Sequence, residues 1–361
     1  QVDEHGNVIN KRNSWMTRSV VYVHLIPPGA ADTVHYRLHI PENAGDKITL
    51  HARLCYRKFG WWFTQFAFAG EADPNQPQRH TPDYDDTHYL LNGPVRGVSA
   101  EQQKIPNLPI VALAEDEVTL PVLSHGAPEP KPKVALDAGD WQRWNDYGIG
   151  LFLQGDLKGA EAAFQKITEI DPKNPDGWVN IGRAALQEGD LKRANTVLLQ
   201  ALQLAPNLAR AHFFYSQLLR DEGHYDQAEK HLRIVLAQYP RDRVALNDLG
   251  RILFLQRRYK DAVKTLDAVL AIDPEDLMAH YNLMLCYTGL GDAKDAHIHQ
   301  VRYLRFKADE AAQTITGPYR QEHPDDNNER QAIHEHVSVP LAELKQATHY
   351  TYESSAAGAG R

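Results

Sequence analysis

Cysteine is nearly absent from this chain, which has only Cys55 and Cys286 among its 361 residues. No C-x-x-C pair occurs, which excludes a cysteine-built zinc site and covalently attached c-type haem within the chain. The two cysteines lie in different predicted domains. We expect two separate, mostly buried thiols, and an interdomain disulfide is the alternative.

Long apolar runs, an excess of positive charge and known catalytic motifs are missing as well. No run approaches the ~20 apolar residues that a membrane-spanning helix needs. The net charge of −8 argues against broad nucleic-acid binding, which depends on Lys and Arg neutralising phosphates. The sequence contains no G-x-S-x-G, P-loop, G-x-G-x-x-G or H-E-x-x-H motif. These absences predict a protein without a membrane span, a nucleic-acid partner or an enzymatic activity.

What the chain does have is a period of 34 residues in its second half. The period relates four prolines, five alanines and a set of glycines with few substitutions (Pro172, Pro206, Pro240, Pro274; Ala160, Ala194, Ala228, Ala262, Ala296; Gly155, Gly189, Gly223, Gly291, with Arg257 as the exception). With this spacing, residues 141–310 resemble the tetratricopeptide repeat family. The resemblance implies helix–turn–helix units that stack into a solenoid and bind other proteins.

We place the repeats at 141–174, 175–208, 209–242 and 243–276, with a fifth that starts at Leu277 and takes the array to residue 313. In each repeat, small side chains at positions 8 and 20 are expected where the two helices cross. The proline at position 32 is expected to end the second helix. The fifth repeat lacks this proline, and its second helix is predicted from Ala293 to Ala312 as a terminal cap.

The first third of the chain has a period of two, which is typical of half-buried strands. Val34 to Ile40 and Ile48 to Tyr56 alternate in this way, and turn signals separate further strand candidates. The predicted fold class is therefore α+β multidomain, an N-terminal antiparallel β-sandwich followed by an α-helical tetratricopeptide solenoid. The predicted domains are an irregular segment 1–14, the β-sandwich 15–126 with a long loop at 70–106, a Pro-rich linker 127–140, the repeats 141–313 and an irregular tail 314–361.

Two sets of residues are candidates for function. The first lies at first-helix positions 2, 5, 6, 9, 12 and 13, which line the groove of such arrays, where Arg and Asn suit peptide and carboxylate recognition. Its members are Asn145, Asn180, Arg183, Arg210, Phe213, Gln217, Arg220, Asn247, Arg251 and Tyr281. The second set, His35, His39 and His51, lies on predicted strands and is a candidate for metal or haem-iron ligation. If the two strands form a hairpin, His39 and His51 approach each other. A solvated polar face is the alternative for both sets.

A second resemblance concerns the β-region. The segments 26–37, 48–59, 107–111 and 118–122 are similar to the part of bacterial multihaem c-type cytochromes that lies between the haem-binding region and a tetratricopeptide array. It implies an extracytoplasmic, periplasmic or extracellular, setting beside haem proteins. Haem c would belong to an upstream region or to a partner, and this chain would have no cofactor of its own. Whether Gln1 is a mature N-terminus is left open.

The first functional hypothesis is thus a non-catalytic scaffold of an extracytoplasmic multihaem cytochrome electron-transfer assembly, with cytochrome subunits as partners. The alternative is a peptide-binding adaptor unrelated to electron transfer. A metal-dependent enzyme that uses the β-region histidines is a third hypothesis. Self-association into a homo-oligomer is compatible with each.

Overall fold

A computed structural model of the chain describes residues 1–7, 16–21, 26, 28–41, 43–59, 71–72, 89–90, 108–124, 126–128, 136–137, 139–307, 317, 321 and 334–337. The chain divides into two compact units. One unit contains the helices, and the other contains four of the six strands that the described residues form. The predicted loop at 70–106 and the linker at 127–140 fall largely outside the described residues.

The strand unit consists of two separate strand pairs. β1 (Val34–Arg37) pairs in parallel with β6 (His334–Val337), and β2 (Lys47–Tyr56) pairs antiparallel with β5 (Val111–Pro121). The other unit holds a short antiparallel pair, β3 (Glu71–Ala72) with β4 (Tyr89–Leu90). The part of the tail that forms β6 is therefore a strand, where the sequence predicted irregular structure.

The β2–β5 ribbon shows the predicted alternation but not the predicted sandwich. Its polar face carries three cross-strand pairs, which are a Thr49–Thr119 hydrogen bond of 2.9 Å, His51 with Glu117 and Arg53 with Glu115. The opposite face carries apolar pairs such as Ile48 with Leu120 and Leu50 with Val118. Val118 and Leu120 are about half exposed, so no second described sheet covers this face. The described residues thus show two-stranded sheets and do not show a β-sandwich.

The helical unit contains ten α-helices between residues 139 and 307, a range in which every residue is described. The first helices of the five repeats are α1 (Trp141–Gln154), α3 (Pro175–Glu188), α5 (Ala209–Asp221), α7 (Arg243–Leu255) and α9 (Leu277–Leu290). The second helices are α2 (Leu157–Ile170), α4 (Leu191–Leu204), α6 (Tyr225–Gln238), α8 (Tyr259–Leu270) and α10 (Ala293–Phe306). The five helix pairs follow the period that the sequence predicts. None of the described helices is long and apolar enough to cross a membrane.

Local sequence sets where these helices begin and end. Six helices have an Asp or Asn as their N-cap. The side chain of this residue accepts a hydrogen bond from a backbone N–H of the first turn, a donor that has no partner within the helix. These caps are Asp156, Asn174, Asp190, Asp242, Asp276 and Asp292. After three of the first helices, a glycine at positive φ closes the last turn (Gly155, Gly189, Gly291).

The two helices of a repeat approach closely because position 8 carries a small residue. A Cβ atom on Gly250 would lie 2.5 Å from Leu266 Cδ2, and one on Gly182 would lie 2.6 Å from Leu198 Cγ. The alanines at position 20 are buried at the same crossings. The close packing that the sequence predicts at positions 8 and 20 is therefore present.

The fifth repeat ends the array differently. Position 8 is Met284 instead of a small residue, and it lines a cavity of about 440 Å³ together with Gln300. The helix α10 stops at Phe306 and the backbone of Lys307 is extended, so the described helix is shorter than the predicted one that ran to Ala312. Three apolar side chains on this helix are exposed, namely Ile298 (42%), Val301 (50%) and Leu304 (60%). The outer surface of the helix is therefore less polar than that of a usual terminal cap.

Candidate functional site

Two cavities open on the first helices of the repeats and share Arg220 and Asp221. The smaller one, of about 330 Å³, is lined by α1, α3 and α5, and the larger, of about 650 Å³, by α5, α7, α9 and the residue before α9. Within residues 139–307, no second helix contributes to either cavity. We call the continuous surface formed by these two cavities the groove.

The groove residues occupy the helix positions that the sequence singled out. Apart from Arg243 and Asp276, every residue that lines it stands at position 2, 5, 6, 9, 12 or 13 of its repeat. Six of the ten candidates named from the sequence line it, namely Arg183, Gln217, Arg220, Asn247, Arg251 and Tyr281. That they bind a partner stays a prediction.

The other four candidates lie outside the two cavities. Asn180 is almost fully buried, and its Nδ2 donates to Asn145 Oδ1 over 2.7 Å. Arg210 forms an ion pair with Asp176. Phe213 packs against the hydrophobic core and meets the ring of Phe214 edge to face. These contacts explain the four residues by packing and pairing within the array.

Several groove residues were missed from the sequence. Phe152, Phe214 and Asp248 stand at positions 12 and 6, so applying the same positions to every repeat would have found them. Arg243 and Asp276 stand at the first and last positions of the fourth repeat, so the groove positions would not have found them. They are brought into the groove by an ion pair, with Arg243 Nε 3.4 Å from Asp276 Oδ2.

Acidic side chains in the larger cavity are already paired. Asp248 Oδ1 lies 3.6 Å from Arg220 Nη1, and Gln217 Nε2 lies 3.5 Å from its other oxygen. Burial raises the pKa of Asp248, an effect that the charge of Arg220 partly offsets. Asp276 accepts hydrogen bonds from Asn247 Nδ2 at 3.2 Å and from the backbone N–H of Ala279 at 2.8 Å.

Two arginines of the groove rest on aromatic rings instead of carboxylates. Arg183 Cζ lies 4.1 Å from the ring centre of Phe152 and 5.8 Å from that of Phe214. Arg251 Cζ lies 5.1 Å from the ring centre of Phe254. Burial, and then the like charge of Arg210, lower the pKa of Arg183, although a guanidinium stays charged in proteins. Both side chains are therefore partly buried cations within cation–π distance of aromatic rings.

Three buried polar atoms at the larger cavity have no hydrogen-bond partner among the described residues. They are Asn247 Oδ1, Arg251 Nη1 and Asn282 Oδ1. Asn282 is only 2% exposed. Because an unpaired buried polar atom costs about 1–3 kcal/mol, such a cluster at a cavity suits a ligand that brings the missing partners.

The three candidate metal or haem ligands do not come together. His51 lies on β2, where its Nδ1 is 3.2 Å from Glu117 Oε2 on the paired strand β5. His35 lies on β1, whose partner is β6, and His39 lies beyond the end of β1. The hairpin that would have brought His39 to His51 is not formed, since neither strand pairs with the other. In the described part of the chain, no three His, Cys, Asp or Glu side chains cluster as metal ligands would.

Both cysteines are free thiols, which confirms the prediction that they do not form a disulfide with each other. Cys286 is buried, and burial raises its pKa to about 11. Cys55 is exposed on β2, which differs from the prediction that both thiols are mostly buried. An alternating strand that no second sheet covers leaves both of its faces accessible.

Comparison with known proteins points to the same repeat type. Residues 165–279 match the profile of the cytochrome c-type biogenesis protein H TPR domain, from within α2 to the first turn of α9. No curated protein matches the chain. The chain contains tetratricopeptide repeats of the class that serves as protein-interaction modules.

Solved repeat structures resemble the chain over about half of its length. MamA from Desulfovibrio magneticus RS-1 shares 21% identity over 48% of this chain and 97% of its own, with a TM-score of 0.43. YrrB, described as a TPR protein with an unusual peptide-binding site, shares 17% over 49% and 90%, with a TM-score of 0.40. PilF of Pseudomonas aeruginosa shares 15% over 52% and 93%, with a TM-score of 0.44.

Proposed function

We propose that this tetratricopeptide repeat chain is a non-catalytic scaffold that holds a polypeptide segment of a partner in its groove. The observation that carries the proposal is the cluster of unpaired buried atoms, Asn247 Oδ1, Arg251 Nη1 and Asn282 Oδ1, at the larger cavity. A polypeptide supplies both the N–H donors that the two amide oxygens need and the carbonyl or carboxylate acceptors that the guanidinium needs.

We further propose that the partners are c-type cytochromes of an extracytoplasmic electron-transfer assembly. Two separate similarities support this setting. Residues 165–279 match the TPR domain of the cytochrome c-type biogenesis protein H, and the β-region resembles multihaem cytochromes. Haem would be bound by the partner or by a region outside this sequence, because covalent attachment needs the C-x-x-C-H motif that this sequence lacks. The function of the chain is then to position haem proteins and not to transfer electrons itself.

The experiment is to capture the tagged chain from cells that express it natively and to measure covalent haem in the eluate by its absorbance. A matched variant, Asn247→Ala with Asn282→Ala, removes the two unpaired oxygens without changing the charge. We expect haem protein in stoichiometric amount with the native chain and much less with the variant. Recovery of a colourless chain, or of a partner without haem, would overturn the cytochrome setting.

A location test complements the capture. An extracytoplasmic chain should be accessible to protease in intact spheroplasts, while a cytoplasmic marker protein remains protected. Protection of both would remove the proposed setting, whatever the groove binds.

A further inference from the structure

Arginines of the groove fall into two groups by their partners. Arg220 and Arg243 each form ion pairs with nearby aspartates, and these carboxylates are thereby neutralised. Arg183 and Arg251 form no ion pair with any described residue. They stand at position 9 of the second and fourth repeats, and Arg183 lines the smaller cavity while Arg251 lines the larger one.

The two arginines without ion pairs lie next to aromatic rings. Each guanidinium lies within cation–π distance of at least one aromatic ring, an attraction that restrains the group without using its N–H donors. One of these donors, Arg251 Nη1, is buried without an acceptor. A carboxylate that approached it would form a charge-assisted hydrogen bond in a partly desolvated site, where such a bond is stronger than in water.

Near Arg251, two buried amide oxygens lack a hydrogen-bond donor, so a ligand there would have to supply donors as well as acceptors. Asn247 Nδ2 is fixed by its hydrogen bond to Asp276, so the orientation of this amide leaves Oδ1 as the atom without a partner. Asn282 presents a second such oxygen. Phosphodiester backbones have no N–H donors, whereas an extended polypeptide has one on nearly every residue. The unpaired amide oxygens therefore suit a polypeptide backbone better than a phosphodiester backbone, and the net charge of −8 also disfavours nucleic acid.

We propose that the groove binds an extended, acidic polypeptide segment, in which one Asp or Glu side chain pairs with Arg183 and another pairs with Arg251. Backbone N–H groups next to the second acidic residue donate to the amide oxygens of Asn247 and Asn282. This inference rests on the proposed function and adds the chemical class of the segment. The recognised groups are internal side-chain carboxylates separated by two repeats of the array, not a single chain terminus.

The test uses the full chain and fluorescent peptides whose termini are blocked. One series carries two Glu residues at increasing separation in a Gly/Ser background, and its counterpart carries Gln at the same places. We expect at least one Glu spacing to bind with about tenfold higher affinity than its Gln counterpart in a fluorescence anisotropy titration. Higher salt should weaken this binding.

Variants locate the two contacts. Arg183→Gln and Arg251→Gln should each weaken binding of the preferred Glu peptide by about tenfold and leave the Gln peptide unchanged. Arg233→Gln is the matched control, since it removes the same charge from an exposed side chain of the second helix α6, which contributes to neither cavity. Circular dichroism spectra that match the unsubstituted chain show that each variant is folded.

Three results would overturn the inference. They are equal binding of Glu and Gln peptides, loss of binding in Arg233→Gln as large as in Arg183→Gln, and tighter binding of a single-stranded oligonucleotide than of any Glu peptide. Equal binding of Glu and Gln peptides would still leave the haem capture experiment free to succeed, so the two proposals fail separately.

Discussion

The Nδ1 atoms of His212 and His231 lie 2.7 Å apart, within one helix pair of the third repeat. His212 Nε2 lies 2.8 Å from the carbonyl oxygen of Pro206, which can only accept a hydrogen bond, so Nε2 carries the hydrogen. In the neutral pair His212 Nδ1 is therefore the acceptor and His231 Nδ1 the donor. The tautomer of each ring follows from a single proline carbonyl.

The same arrangement occurs two repeats later. His280 Nδ1 lies 2.9 Å from His299 Nδ1, and His280 Nε2 lies 3.0 Å from the carbonyl oxygen of Pro274. In the second repeat, Trp178 Nε1 donates to the carbonyl oxygen of Pro172 over 3.0 Å in the same way. Position 4 of these repeats thus satisfies a carbonyl of the preceding turn, and a histidine there needs a second partner that tryptophan does not need.

The histidine pairs predict that acid destabilises the array. Burial, and then the charge of His212, lower the pKa of His231 to about 4, and burial also lowers the pKa of His299. The groups around the rings are Tyr215 at His231, and Tyr287, Arg302 and Asp295 at His299. Because an unfolded histidine titrates near 6.5, the unfolded chain binds more protons between pH 6.5 and 4. The free energy of unfolding should therefore fall as the pH drops through this window, as urea titrations at several pH values would measure.

A variant copied from the second repeat is the control for this pH dependence. His212→Trp with His231→Val reproduces Trp178 and Val197, which keeps the bond to the proline carbonyl and removes the titrating pair. We expect a smaller loss of stability between pH 6.5 and 4.5, with stability at neutral pH within about 1.5 kcal/mol of the original. His231→Val alone should cost about 1–3 kcal/mol, since it leaves a buried acceptor unpaired. An unchanged pH slope in the double variant would contradict the assignment.

Arg257 predicts a stabilising substitution. It occupies the position at which the other repeats have Gly155, Gly189, Gly223 and Gly291. Its φ is 61°, and no other non-glycine residue in the described part of the chain has a positive φ. A left-handed conformation costs a residue with a side chain about 1–2 kcal/mol, and part of this is offset because glycine loses more entropy on folding. Arg257→Gly should therefore raise the free energy of unfolding by up to about 1 kcal/mol in urea titrations.

The reverse change is the matched control for Arg257. Gly189→Arg introduces the same strain at φ of 80° and should lower stability by about 1 kcal/mol. Destabilisation by both substitutions would show that Arg257 has a contact worth more than the strain.

Gly250 predicts the cost of widening a helix crossing. A Cβ there would lie 2.5 Å from Leu266 Cδ2 and 2.6 Å from its Cγ, so α7 and α8 would have to move apart. We expect Gly250→Ala to lower the free energy of unfolding by about 1–3 kcal/mol, despite the higher helix propensity of alanine. Ser216→Ala at the same position of the third repeat is the comparison, because a Cβ is already accommodated there. An equal effect of the two substitutions would argue against the close approach.

The two thiols should differ in reactivity. Only a thiolate reacts with a disulfide reagent, and Cys286 is buried with its pKa raised to about 11, whereas Cys55 is exposed. We expect one rapid equivalent of thiol per chain under native conditions and a second after denaturation. Cys55→Ser should abolish the rapid equivalent. A rapid phase that survives this substitution would place Cys286 at the surface.

Much of the helical region could be predicted from the sequence alone. The positions of Gly250, Ala262 and Pro274 within a repeat report local requirements, a close crossing and a helix end, and a period of 34 residues repeats those requirements along the chain. The groove positions followed as well, since they depend on which face of a helix a residue occupies.

Only the tertiary structure decided which strands pair and which side chains contact each other. Alternation along β1 assigns each residue to one face of the strand, but it does not identify the strand that pairs with β1. That strand is β6, about 300 residues away, where Val34 pairs with His334. Arg183, Arg210 and Arg220 look alike in the sequence. Arg210 and Arg220 nevertheless pair with aspartates, while Arg183 rests on Phe152.

The sequence by itself thus determined the repeat, its small-residue crossings and the helix face that forms the groove, because these depend on spacing within one or two helices. The tertiary structure decided which strands pair, which arginines have no carboxylate and which histidines share a hydrogen. Those outcomes depend on distances of a few ångströms between side chains of different helices or strands, and no local pattern of residues fixes such distances.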